Sequence, residues 1–399
     1  SGNPRALIIP PTMGTNFMLT RSFGHFLIAL LIATCASSTL VFDIGAILDE
    51  NSPIGKEQIV ATSMAVQAFN NQSDSLKLKI TYRAPSRGLL SSANAAEELI
   101  KESKVKAIIG MNEWIEAAAV GQIGSQENIP VISFTEPGIT SQLAGTQWPF
   151  MVNMASDDAE LIKCISALIR AYNWKRVVAV YEENPVGGSS GELALLAEEL
   201  QTFNSDIEYN LVIPPLYTLS NPESTIEQGL QKLAEIKSRV FVVLHMSVPA
   251  TVHLFQLAKN MGLMEPNTVW IVSESVANYL DMVNCSVIYL MEGVVGVRNH
   301  YPSNTADYHH FRKQFSKKMV EEYPDNEALV PGLMALRAYD AITTITHALK
   351  KSPPSFNDSK QLFAAILTTD FAGKSGRIKF QGGRLSNNAL LRVVNVVGK

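Results

Sequence analysis

The strongest constraint on the fold is the repeated exchange of short apolar runs for amphipathic helical segments, most complete between Val105 and Thr135. Residues 105–109 and 129–134 are apolar runs bounded by turn residues, the pattern of strands covered on both faces. Between them Ala117, Val120, Gly121, Ile123 and Gly124 share one helical face. A strand–helix–strand unit of this length closes as a right-handed parallel crossover. Ligands in such sheets sit beyond the carboxyl ends of the strands. Residues 111–114 and 135–138 therefore fall on the rim where binding or chemistry takes place.

The chain has 399 residues, of which 46% are hydrophobic, enough for two or more domain-sized cores. A net charge of -4 carries no polyanion-binding signature, so nucleic acid is not an expected partner. Three cysteines, Cys35, Cys164 and Cys285, exclude a disulfide-rich scaffold. Residues 18–38 read as a secretory signal, with Arg21 and His25 ahead of an apolar run at 26–33 and a small-residue site at 34–36. A buried strand or helix is the alternative, and the run is too short to span a bilayer. Residues 1–17 read as an extension upstream of Met18. No later stretch is apolar enough to span a membrane, so an exported, extracellular or plasma-membrane-associated chain is expected. Asn71, Asn284 and Asn357 begin glycosylation triplets.

Along the chain, strands are expected at 42–48, 76–82, 105–109, 129–134 and 150–154, with helices at 55–70 and 91–103. The edge-like alternation of LKLKITY puts 76–82 near the side of its sheet. The cycle repeats with strands at 176–181, 207–213, 239–245, 268–272 and 293–297, and helices at 157–172, 192–203, 226–237 and 249–261. The Gly-rich stretch 187–191 reads as a loop between them. Two long amphipathic helices follow at 305–323 and 331–351, then a short one at 362–368. Residues 376–380 and 390–397 read as a closing pair of strands. Two sheets in succession, followed by helices and terminal strands, mean that the chain crosses between lobes three times, near 154–156, 297–302 and 373–378. The expected lobes are 42–154 with 300–372 and 155–299 with 373–399, and a hinged pair of lobes encloses a cleft.

The blocks IGAILDENSPIGKEQIVATSMAVQAFN, IPVISFTEPGITSQL, WPFMVNMASDDAE, GLMEPNTVWIVSES, MEGVVGVRNHYP and LRAYDAITTITHAL, in this order and spacing, resemble the amino-terminal domain of plant glutamate receptor-like channels. The resemblance runs from about Phe42 to the last residue. It implies the bilobed clamshell of leucine/isoleucine/valine-binding proteins, an α/β fold of two parallel-sheet lobes. Full-length relatives continue into a second ligand-binding domain and a pore. On this reading the chain is a fragment, a truncated product or a free-standing secreted domain.

The resemblance also implies where a ligand would be held. An α-carboxylate is expected on hydroxyls and amides after the third and fourth strands, and an α-ammonium on acids of the second lobe. The matching positions after KAIIG are Asn112, Glu113 and Trp114, with Glu113 and Trp114 in place of small hydroxyl residues. After the next strand come Ser133, Thr135 and Glu136. Asp157 and Glu274 match the acids of the second lobe, Tyr181 ends a strand there, and Val186 replaces an expected aromatic. Two like charges at 4 Å cost about 4 kcal/mol at an effective dielectric near 20, enough to erase a micromolar carboxylate site. Glu113 and Glu136 therefore either spoil the carboxylate half of the site or point into water as rim residues. His245 is either a ligand contact or a capped core histidine. His309 and His310 read as exposed helix surface.

No nucleophile elbow, metal-ligand spacing or P-loop occurs, so neither an enzyme nor a cofactor is expected. The readings that remain are a ligand-sensing domain for a small amino-acid-like or cationic ligand, an assembly module that forms homo- or heterodimers with like receptor domains, and a soluble solute-binding protein.

Overall fold

A computed structural model describes residues 2, 40–85, 89–135, 145–155, 158–183, 188–281, 285–325, 330–351, 359–386 and 390–397. The signal expected at 18–38 and the positions Glu136, Asp157, Val186, Asn284 and Asn357 lie outside these residues.

The first lobe begins with β1 (Leu40–Ile47), α1 (Pro53–Gln72), β2 (Leu76–Arg83), α2 (Leu89–Lys101), β3 (Ala107–Gly110), α3 (Trp114–Glu127), β4 (Val131–Ser133) and β5 (Met151–Asn153). Its parallel strands run in the order β2-β1-β3-β4-β5, with β2 at the edge as its half-polar sequence requires. Apolar strands of this kind need cover on both faces. One face packs on α1 through Val60, Ala61 and Met64. The other packs on α2 and α3 through Ala96, Leu99, Ala117 and Val120.

The second lobe repeats the plan with α4 (Asp158–Ala171), β6 (Arg176–Glu182), α5 (Gly188–Gln201), β7 (Asp206–Ile213), α6 (Pro222–Glu235), β8 (Val240–Val243), α7 (Val248–Asn260), β9 (Val269–Val272), α8 (Glu274–Ala277), α9 (Cys285–Leu290) and β10 (Val295–Asn299). The strand order is β7-β6-β8-β9-β10, the same as in the first lobe. Helices α4 and α5 cover one face and α6 and α7 the other. Helix α5 starts at Gly188, so most of the Gly-rich stretch expected as loop forms its first turn.

The chain then returns to the first lobe. Tyr301 and the helices α10 (Ala306–Glu322), α11 (Leu333–Lys351) and α12 (Ser359–Leu367) join the core over α1. Four strands end the chain: β11 (Asp370–Ala372), β12 (Arg377–Gln381), β13 (Arg384–Leu385) and β14 (Leu391–Asn395). Here the expected division needs correction. Strands β11 to β13 extend the first lobe's sheet past β5, and only β14 pairs with β10 in the second. Residues 376–380 and 390–397 are therefore not partners, and the third crossing falls after Leu385 rather than at 373–378. Asp340 and the burial of β12 hold this part of the chain to the first lobe. The Asp340 carboxylate on α11 accepts from the backbone N–H groups of Lys374 and Ser375 at 2.9 and 2.7 Å. Ile378 and Phe380 are buried in the first lobe's core. Among the described residues no helix is long and apolar enough to cross a membrane.

Candidate functional site

Both sheets end in a level row, and the cleft residues follow just past it. In the first lobe the register aligns Ile47, Gly110, Ser133 and Asn153. In the second it aligns Val180, Val243 and Val272. Ligands in such sheets sit just past the carboxyl ends of the strands. Two positions past these rows, Asn112, Thr135 and Ala155 in one lobe and His245 and Glu274 in the other line one cavity of about 90 Å³ between the lobes, whereas Asp49 and Glu182, the corresponding positions after Ile47 and Val180, do not. That volume has room for roughly half a dozen waters.

The turn out of β3 is shaped by backbone geometry. Gly110 has φ +127°, and a Cβ there would lie 2.2 Å from the Ile47 carbonyl oxygen. Met111 follows at φ 59°, a conformation that non-glycine residues rarely adopt. Together they turn the chain so that Asn112 meets Gln58 of α1 in a reciprocal amide pair, at 2.7 and 3.1 Å. Glu113 is the N-cap residue of α3, but its carboxylate makes no capping bond. It reaches across the cleft to His245 Nε2 at 3.2 Å. Trp114 is buried edge-on against Trp148, with ring centroids 5.0 Å apart.

His245 is held from its own lobe as well. Its backbone N–H donates to Glu192 at 3.1 Å, and its carbonyl accepts from the Glu182 N–H at 3.0 Å. Burial alone would depress the imidazole. The hydrogen bond and charge of Glu113, with Glu192 and Asp158 behind them, outweigh burial and raise its pKa to about 9. Burial pushes Glu192 upward, opposed by the same imidazole. Tyr279, also in the wall, is kept in its neutral form chiefly by burial, with Glu113 and Glu182 adding to the shift.

A second pair crosses the cleft deeper in. Glu274 Oε2 accepts from Arg337 of α11 at 3.0 Å, and its Oε1 accepts from the Asn299 N–H at 3.1 Å. Both side chains are almost wholly buried, at 4% and 8% exposure. Removing one partner of such a pair costs about 3–5 kcal/mol, because the other charge stays in the interior. The lobes are thus joined by two of the protein's own ion pairs. Among the described residues no cluster of His, Cys, Asp and Glu is placed to hold a metal ion.

The sequence expectations fall in several places. Asn112, Trp114, Thr135 and Glu274 line the cavity, and Glu113 bonds one of its walls. The Ser133 hydroxyl stays within its own turn, accepting from the Thr135 N–H at 3.2 Å. Tyr181 packs against the second lobe's core, away from the cavity wall. His245 is in the wall, whereas His309 and His310 are exposed on α10. Of the three glycosylation triplets, only the one at Asn71 is described, exposed in the last turn of α1. Sequence reasoning missed Asp158, Glu192, Asn278 and Arg337. Arg337 had a signal: at i+4 from Leu333 and i−4 from Ala341, it is a charge inside the apolar stripe of α11.

Two sheets of like strand order around one cavity define a bilobed clamshell of the type built by bacterial solute-binding proteins. Leucine binding protein LivK from Thermotoga maritima is similar in structure, with TM-score 0.68 and 16% identity over 89% of this chain and 95% of that one. A solute binding protein from Rhodopseudomonas palustris, in complex with 3,4-dihydroxybenzoic acid, reaches TM-score 0.72 and 19% identity over 90% and 98%. Residues 59–399 match the receptor family ligand binding region, and the chain belongs to that family. Among curated relatives from Arabidopsis thaliana, glutamate receptor 2.4 is 28% identical over 90% of this chain and 40% of its own length. Glutamate receptor 2.9 is 30% identical over 79% of this chain and 32% of its own length. The chain thus spans about two fifths of the length of the curated relatives it matches first.

Proposed function

We propose that this chain is the extracellular, ligand-sensing amino-terminal domain of a glutamate receptor-like cation channel. A small amino-acid-like or cationic solute in the cleft sets the angle between its lobes. One observation carries the reading: the cavity takes its walls from both lobes, and the contacts that span it are charged side chains. Any solute that binds there must compete with those contacts or adapt to them, so occupancy and lobe angle are coupled. Family membership and the solute-binding fold of the structural neighbours support it. Export through a signal at 18–38 and a glycan at Asn71 belong to the same reading. Isothermal calorimetry with amino acids, small amines and aromatic acids, paired with small-angle scattering, tests it. Binding accompanied by a change in radius of gyration is expected, and a silent cleft across the set would sink it.

A second reading is favoured by the same two ion pairs, which close the cleft without a solute. In that case the domain is an assembly module that pairs with like domains. Sedimentation distinguishes the two, because a chain that stays monomeric at high concentration is no assembly module.

A further inference from the structure

We infer that the contact between Glu113 and His245 is a proton-operated latch between the lobes, which holds the cleft closed while the imidazole is charged and lets it widen as the proton leaves. Such a latch acts with or without a solute in the cleft. The two residues come from different lobes: Glu113 precedes α3 in the first, and His245 follows β8 in the second. Glu113 stands where it could cap α3, yet its side chain makes no capping bond. Among the described residues the hydrogen bond of its carboxylate goes across the cleft, to His245 Nε2 at 3.2 Å. His245 is tied through its backbone to Glu192 and Glu182 of its own lobe, so the imidazole moves with that lobe. The contact therefore exists only while the lobes are together.

Three acids hold the imidazole's proton. Asp158 on α4 and Glu192 on α5 act from the second lobe itself, and Glu113 is the one supplied by the first. Of the other ionisable groups in the wall, Tyr279 is kept neutral by burial, and Glu274 and Arg337 are paired with each other. Opening the cleft takes Glu113 away and leaves Asp158 and Glu192 in place. The imidazole thus holds its proton more tightly in the closed form, where its pKa is raised to about 9. By linkage, a bound proton favours closure by the same factor. The bond to Glu113 is charge-assisted only while the ring is protonated, and such bonds are roughly twice as strong as neutral ones. The pair of Glu274 and Arg337 contains no histidine and stays as a second tie, so the opening is partial. Glu57 is the competing trigger, because burial, with Asp281 of the second lobe adding to it, raises its pKa to about 8.

Small-angle scattering of the whole chain from pH 6.5 to 10, beside a titration of the His245 ring by nitrogen-15 NMR, tests the latch. The radius of gyration is expected to rise with pH, and its midpoint to coincide with that of the ring, near pH 9. In Glu113→Gln the ring should titrate at least one pH unit lower. The radius of that variant should exceed the wild-type value at pH 6.5 and change little above it. His245→Gln supplies a second variant should the first fail to fold, and its radius too should not respond to pH. Glu57→Gln should keep the wild-type curve. A wild-type radius that stays constant across the range overturns the latch. So does a pH response that survives Glu113→Gln, or one that is lost in Glu57→Gln.

Discussion

His245 carries its charge at neutral pH because Glu113 stands 3.2 Å away on the other lobe. Its folded pKa of about 9 lies above the ordinary value of 6.5. A group raised in this way adds stability that is complete below its unfolded pKa and is lost as pH rises through the folded one. Wild-type protein should therefore be more stable than Glu113→Gln by about 2 kcal/mol near pH 6, a figure discounted for the partial exposure of both side chains. The difference should shrink between pH 6.5 and 9 and vanish above it, as read by urea denaturation at each pH. Glu57 behaves in the opposite sense. It is fully buried on α1, its Oε2 accepts from the Gly332 N–H, and its Oε1 has no partner. Burial, with a smaller contribution from Asp281, raises its pKa to about 8 against the bond from Gly332. The unfolded chain releases this proton near the ordinary 4.5 and the folded chain keeps it, so the group costs stability increasingly from pH 4.5 to 8. Glu57→Gln should raise stability by about 1–2 kcal/mol at pH 8 and by much less at pH 5, measured as a shift in urea midpoint.

Among the elements, β3 and the turn after it set the geometry of the first lobe's wall. Gly110→Ala would place a methyl group 2.2 Å from the Ile47 carbonyl oxygen in a backbone conformation suited to glycine. A loss of about 3 kcal/mol or more is expected, together with weakened pairing between β1 and β3. Chemical denaturation and amide exchange of Ile108 and Ile109 would check it. The parallel crossovers were legible because each is encoded locally: an apolar run, an amphipathic helix and another apolar run leave one handed solution. The end of the chain was less legible. The alternating RIKFQ of β12 reads the same whichever sheet receives it. Asp340 decides its place by holding the turn at Lys374 and Ser375, and so do the buried Ile378 and Phe380. No local pattern announces that Asp340, in the middle of α11, binds a turn 34 residues away.

For the whole molecule, the two cross-cleft pairs predict a closed ligand-free form. Arg337→Met leaves Glu274 buried without its cation, and a loss of about 3 kcal/mol is expected. The variant should also show a larger radius of gyration by small-angle scattering at neutral pH, and an unchanged radius would mean that the pair is not what keeps the lobes together. Much of this could be read without a structure. The sequence by itself determined two parallel-sheet lobes, the three-crossing hinge in outline, and the loops after β3 and β4 as the first lobe's rim, because strand and helix periodicity and the carboxyl-end rule act over a few tens of residues. It also flagged Glu113 as a charge out of place. Only the tertiary structure decided what that charge does. Glu113 and His245 are 132 residues apart in the chain, and Glu274 and Arg337 are 63 apart. Whether such charges meet depends on how one lobe docks on the other, and a Coulomb interaction follows distance and burial in space rather than separation along the sequence.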